Sequence, residues 1–171
     1  MNLSLTQLAE LCRAGPTRTK WVFVPSHAVG HTLGERLVLE GTNWANLRFT
    51  PPFDLALQMA GPFLVERGIN PSPEGVGPAL VMRLLTELPG SVPAYFRHLA
   101  DQPKMAEALW AAISDIRMAG LHAVDLPGEA FSSPAKGAEL RALLEAYEAY
   151  LVEHQLADRA SVYREALEHL D

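Results

Sequence analysis

The sequence predicts an α/β chain that is predominantly helical, with a βαβ start followed by a long helical region. Two short runs rich in β-branched and aromatic residues, Trp21 to Val24 and Leu47 to Thr50, flank a stretch of helical spacing. From Phe53 onward the apolar residues recur almost throughout at helical intervals. With 171 residues, 49% of them apolar, the chain is long enough to bury a core.

Leu3, Leu5, Leu8, Ala9 and Leu11 describe a short amphipathic helix that ends before the breaker pair Gly15-Pro16. Trp21-Val22-Phe23-Val24, closed by Pro25, reads as a strand buried on both faces. Ser26 is a helix N-cap candidate, because its hydroxyl can accept from a free N–H of the first turn. Val29, Leu33, Leu37 and Val38 carry the helix to Gly41. Leu47-Arg48-Phe49-Thr50 is a second strand, and Pro51-Pro52 stop it from extending. A strand-helix-strand connection of this kind makes the strands parallel.

Beyond Phe53 the helical period is interrupted at Gly61-Pro62, in the Gly68 to Pro78 loop and at Leu88-Pro89-Gly90. Leu80, Leu84, Leu85 and Leu88 mark one helix, and Met105, Leu109, Ala112, Ile113 and Ile116 a longer one after Pro103. Leu140, Leu143, Leu144, Tyr147 and Leu151 follow the start signal Ser132-Ser133-Pro134. Asp158 caps a last helix on which Val162, Ala166, Leu167 and Leu170 share a face. No further strand is predicted. The division is therefore a βαβ segment over 1–60 and a helical region over 61–171. Two strands alone do not make a stable parallel sheet. Either weak strands stand elsewhere, or the chain is the N-terminal piece of a longer protein whose later strands complete the sheet, as the abrupt end at Leu170-Asp171 suggests.

The chain has no apolar run of membrane-spanning length and no signal-peptide order at its start, which leads to the expectation of a cytoplasmic protein without membrane contact. Its single cysteine, Cys12, reads as a small apolar residue of the first helix. The net charge of −6 argues against nonspecific nucleic-acid binding by the whole surface. The charge is uneven, however. Residues 1–60 hold Arg13, Arg18, Lys20, Arg36 and Arg48 against Glu10, Glu35, Glu40 and Asp54, a balance of +1, and leave −7 to the rest. Any nucleic-acid contact belongs to the first part.

A phosphate-binding loop needs close-approaching glycines and a lysine between a strand and a helix. Gly15 to Lys20 supplies one glycine and a lysine but precedes a strand, and the strand-to-helix turn Pro25 to Gly30 lacks both the glycine pattern and the lysine. His27, His31 and Glu35 share a helix face and imitate a metal site, but no zinc-protease pattern surrounds them, so they read as a solvated face. Ser26, His27 and Asp54 are the residue types of a hydrolase triad without the glycine-flanked serine elbow. Glu145-Glu148 and Glu165-Glu168, near Arg141 and Arg164, read as solvated helix faces. Among the aromatics, Trp110 is expected in the core, while Trp44, between Asn43 and Asn46, keeps an open role beside Tyr95 and Phe96 as base-stacking candidates. No catalytic residue, cofactor or metal site is expected.

Lys20-Trp21-Val22-Phe23-Val24-Pro25-Ser26-His27, the helix from Gly30 to Leu37 and the segment Asn46 to Ala56 together resemble the N-terminal region of the AddB-like ATP-dependent helicase/nuclease family, within the PD-(D/E)XK nuclease superfamily. In that family a strand ending in Val-Pro-Ser or Val-Pro-Glu leads into a helix, and a Thr-Pro or Thr-Phe segment leads into Leu-Ala. Tyr95-Phe96, Asp115 to Leu121 and Tyr147 to Asp158 extend the match over most of the chain. The resemblance implies a degenerate P-loop, helicase 1A-like start, a helical 1B-like region, and a noncatalytic role in DNA double-strand break repair alongside a helicase/nuclease partner subunit. The family's nuclease motif lies near the C-terminus of its members and is absent here. Lys20, Arg36 and Arg48 are the candidate phosphate contacts, with Ser26 and Thr50 as hydroxyl donors at strand ends. The alternative is a protein-interaction module that docks a partner through its acidic helical part. An exposed sheet edge offers a route to homo-oligomers.

Overall fold

The computed structural model of the chain describes residues 5–71, 77–100, 102–127 and 131–170. Two compact units divide it, Met1–Gln58 and Met59–Asp171.

In the first unit α1 (Leu5–Ala14) buries Leu8, Ala9 and Cys12. β1 (Lys20–Phe23) leads through Pro25 into α2 (His27–Leu39), and β2 (Leu47–Thr50) returns parallel to β1. The register pairs Lys20 with Leu47, Trp21 with Arg48, Val22 with Phe49 and Phe23 with Thr50. Leu8, Ala9, Cys12, Leu37 and Leu47 form the core, with Val22 and Phe49 packed against it. Both helices therefore lie on one face of the sheet. The other face is open at Trp21, Phe23 and Arg48 and closed at Thr50. This corrects the expectation that β1 is buried on both faces: its side chains alternate, and Trp21 and Phe23 are 46% and 57% exposed.

Close packing of α2 on β2 depends on two glycines. A Cβ on Gly30 would stand 2.4 Å from Phe49 Cβ, and one on Gly34 would stand 3.0 Å from the Trp44 ring. Thr42 is buried and accepts a hydrogen bond from Arg13 Nη2 at 2.9 Å, which ties the α2–β2 turn to α1. Gly41, at φ +75°, ends α2 in the left-handed region that suits glycine.

α3 (Pro52–Glu66) carries the boundary between the units after Gln58 and runs unbroken through Gly61-Pro62, where an interruption is expected from the sequence. Proline removes one backbone donor and costs the helix stability. The buried stripe Phe53, Ala56, Ala60 and Leu64 offsets that loss.

In the second unit α4 (Gly77–Glu87), α5 (Pro103–Met118) and α6 (Pro134–Glu153) pack around Leu80, Val81, Leu84, Leu85, Leu109, Ile113, Leu143, Leu144 and Tyr147. α7 (Arg159–Glu168) starts at the predicted cap, where Asp158 accepts from Ser161 N. Its buried face is Val162, Glu165 and Ala166. Leu167 and Leu170, expected on that face, are exposed. Leu167 stands about 140° round the helix from Val162, since each residue turns about 100°, and Leu170 lies beyond the helix end.

A second sheet also differs from expectation. β3 (Asn70–Pro71) and β4 (Leu156–Ala157) pair in parallel, with Asn70 N donating to Gln155 O at 2.8 Å. Two-residue strands are too short to leave a period of two in the sequence. Among the described residues no helix is long and apolar enough to cross a membrane.

Candidate nucleic-acid interface

Because β1 and β2 are parallel, their carboxyl ends share one edge, and α2 and α3 both begin there. Ser26 Oγ accepts from Val29 N at 3.4 Å as the cap of α2. His27, the first residue of α2, reaches Asp54 in the first turn of α3, with Nε2 2.6 Å from Oδ2. An ionised carboxylate only accepts, so His27 Nε2 carries the proton. Helix N-termini attract anions. Here that role falls to Asp54, the residue before His27 is a hydroxyl cap, and Pro25 has no N–H to give. Ser26 and His27 do not form a nucleophile–base pair, since the serine oxygen faces the Val29 N–H.

His31 pairs with Glu35 at 3.3 Å, while His27 is engaged by Asp54, so His27, His31 and Glu35 do not converge as ligands. Among the described residues no group of three His, Cys, Asp or Glu side chains is arranged to hold a metal ion.

The five candidate DNA contacts are spread over the first unit. Arg48 lies on the open sheet face, with its guanidinium carbon 5.3 Å from the Trp21 ring centroid. Lys20 stands at the amino end of β1, where Nζ donates to Arg18 O at 2.7 Å. Ser26 and Thr50 mark the carboxyl edge, and Thr50 is buried. Arg36 is exposed in the last turn of α2, the helix on the covered face. Trp44 has a packing role: Nε1 donates to Gly34 O at 3.2 Å and the ring meets Phe49 edge-on at 6.1 Å. Phe96 is buried, Tyr95 is partly exposed against it, and Trp110 packs edge-on against Tyr147 at 5.6 Å.

The second unit holds a charged cluster that was not anticipated. Arg117 of α5, nearly buried, donates from Nε to Asp158 Oδ2 at 2.5 Å, from Nη2 to Asp158 Oδ1 at 3.0 Å and from Nη1 to Glu148 Oε1 at 2.9 Å. Tyr147 Oη donates to Asp158 at 3.4 Å. His122 lies between Glu148, 2.7 Å from Nδ1, and Arg164, 2.9 Å from Nε2. Arginine only donates and carboxylate only accepts, so in this arrangement Nδ1 donates to Glu148 and Nε2 accepts from Arg164. Arg117, His122, Glu148 and Arg164 line a cavity of about 570 Å³. Burial alone would raise the Asp158 pKa, yet Arg117 and Ser161 outweigh it and hold the carboxyl below its ordinary value. Burial also works against the charge on Arg117, but Asp158 and Glu148 raise its pKa on balance. Tyr147 is raised by burial and by the charge of Asp158.

Comparison with protein-family models and with curated proteins finds no match to this chain.

Glu148 and Glu165, expected on solvated faces, belong instead to these inner contacts. Glu165 is buried and pairs with Arg67 and His169. Helical spacing does mark the missed residues. Arg117 follows Leu109 and Ile113 at steps of four, and Glu139 precedes Leu143, Tyr147 and Leu151 at the same step, so both charges stand on apolar stripes.

Proposed function

We propose that the chain is a noncatalytic, degenerate helicase-like segment of a DNA double-strand break repair helicase/nuclease of the AddB-like kind, acting alongside a helicase/nuclease partner subunit. One observation carries this reading. A parallel strand-turn-helix-strand unit is built as nucleotide-binding units are, yet its turn presents a hydroxyl cap and a His27–Asp54 pair where phosphate-cradling groups would stand. In this role the segment contributes scaffold and DNA contact, not chemistry, and Arg48, exposed on the sheet face, is its leading phosphate contact. The test is fluorescence anisotropy with end-bearing and single-stranded DNA across a salt series. Binding that weakens steeply with salt supports the proposal, because counterions released from phosphates set that slope.

A second reading has its own support: a protein-interaction module docking through the second unit. Residues 61–171 carry the −7 charge, and Val124, Val152 and Leu167 are well exposed there. Absence of DNA binding at low salt, with capture of a basic partner by the same chain, decides for this second reading.

A further inference from the structure

Trp21 and Phe23 project from the open face of β1, and the register places Arg48 beside Trp21 and Thr50 beside Phe23. Neither strand contains an acidic residue. Of the acidic residues, Glu10 and Glu35 sit on α1 and α2, the helices of the covered face, Glu40 follows the end of α2, and Asp54 is engaged by His27. The open face thus combines two exposed aromatic rings with a guanidinium and has no strand carboxylate to repel a polyanion. Residues two apart on a strand are separated by roughly 6.6 Å, about twice the 3.4 Å spacing of stacked bases along one strand of a duplex. Two neighbouring bases reach both rings only when they are splayed apart, which a single strand allows and a duplex does not.

We propose that this face is a stacking platform for single-stranded nucleic acid, with Trp21 and Phe23 each taking a base and Arg48 holding the intervening backbone. The platform rests on the DNA-contacting role proposed above and gives it a ligand class. Stacking is insensitive to base identity, since every base has a π face, so the platform is not sequence-specific. An apolar helix of a partner protein is the competing cover, because parallel sheets are normally covered on both faces. The charge of the face favours the nucleic acid.

The experiment uses the whole chain and a fluorescently labelled oligothymidylate, with a blunt duplex of equal length as control. The single strand is expected to bind more tightly than the duplex. Trp21→Ala and Phe23→Ala should each weaken binding by about tenfold, the scale of one lost base stack, without changing the slope of log affinity against log salt, whereas Trp21→Phe keeps most of the affinity. Arg48→Ala should lower that slope by about one. Both aromatics are half exposed, so circular dichroism and melting should show the variants folded. Full affinity in the Trp21→Ala/Phe23→Ala double variant overturns the platform and leaves the proposed DNA-contacting role standing. No DNA binding at low salt overturns both. A change in sedimenting mass in the aromatic variants, with DNA affinity unchanged, assigns the face to a protein and overturns the platform.

Discussion

The two units solve the problem of burial differently. In the second, fifteen buried residues form one cluster, and four charged residues, Arg117, Glu139, Asp158 and Glu165, are buried with partners in hand. In the first, five buried residues hold α1 and α2 to a single sheet face, and the only buried polar residues among those described are Thr42 and Thr50. A buried charge is tolerated only where its partners are fixed. The second unit therefore carries its own specificity inside. The first keeps Trp21, Phe23 and Arg48 on its surface, where the proposed contact with nucleic acid would be made.

The sharpest way to break this comparison is to remove one partner of a buried pair. Glu139 of α6 is fully enclosed and accepts from the backbone N–H groups of Tyr95 and Phe96 and from Arg97 Nε at 3.0 Å. Arg97 in turn donates to Leu88 O at 3.1 Å and to Val92 O at 2.9 Å, so the pair clamps the α4–α5 connection onto α6. Glu139→Ala or Arg117→Ala should each destabilise the protein by about 3–5 kcal/mol, the usual cost of leaving a buried charge unpaired. Removing the exposed His27–Asp54 pair with His27→Ala should cost less than about 1 kcal/mol. Urea denaturation of the three variants measures the contrast, and equal losses would end it.

Acid tests the same pairs without mutation. Burial pushes the Glu139 carboxyl up, but the N–H groups of Phe96 and Tyr95 and the Arg97 guanidinium more than reverse this, and both Glu139 and Asp158 stand below ordinary carboxylate values. A depressed folded-state pKa means that the stability is fully present above the unfolded value of about 4. It is lost as pH falls through the folded value. The second unit should hold its melting temperature down to about pH 4 and lose it below. The Glu139→Ala/Asp158→Asn double variant should show a flatter acid limb in a calorimetric pH series.

A smaller and more local effect is expected in the first unit. The Cβ of Gly30→Ala would meet Phe49 Cβ at 2.4 Å and Cγ at 2.9 Å, so α2 must lift from β2. Overpacking of this kind costs about 1–3 kcal/mol. Amide exchange should quicken in β1, α2 and β2 while α5 and α6 keep their protection, and a uniform loss of protection would show that the units do not behave separately.

What could be read in advance follows the length of each signal. α6 was legible because twenty residues repeat one apolar stripe behind a Ser-Pro start, and the β1–α2–β2 unit because Pro25, Gly41 and Pro51 punctuate it. The exposure of Trp21 and Phe23 was not legible, since a continuous apolar run describes a strand covered on both faces equally well. β3 and β4, two residues each, leave no period, and Asn70-Pro71 looks like loop. The Arg117 and Glu139 contacts join residues about forty positions apart, which no local pattern encodes. Their placement on apolar stripes was nonetheless visible, and a charge at such a position calls for a partner.

The smallest expected effect is the response to nucleotide, and it bears on what the open unit recognises. ATP binding at a strand-to-helix turn requires backbone N–H groups that converge on phosphate, glycines that let them approach and a lysine that reaches the terminal phosphates. The turn from Pro25 to Gly30 opens with a residue that has no N–H, and Val29 N is used by Ser26 Oγ. At its mouth Asp54 holds a carboxylate 2.6 Å from His27, and that charge repels the triphosphate. A ligand present at about a hundred times its dissociation constant stabilises a protein by roughly 2.7 kcal/mol. Saturating ATP with magnesium should instead leave the melting temperature unchanged. His27→Ala, which leaves Asp54 uncompensated, should not create a response either, whereas Asp54→Asn removes the repulsion but supplies no lysine and should stay equally silent. A reproducible magnesium-dependent shift of several degrees in the unaltered chain would place a nucleotide among these residues and remove the basis for calling the unit degenerate.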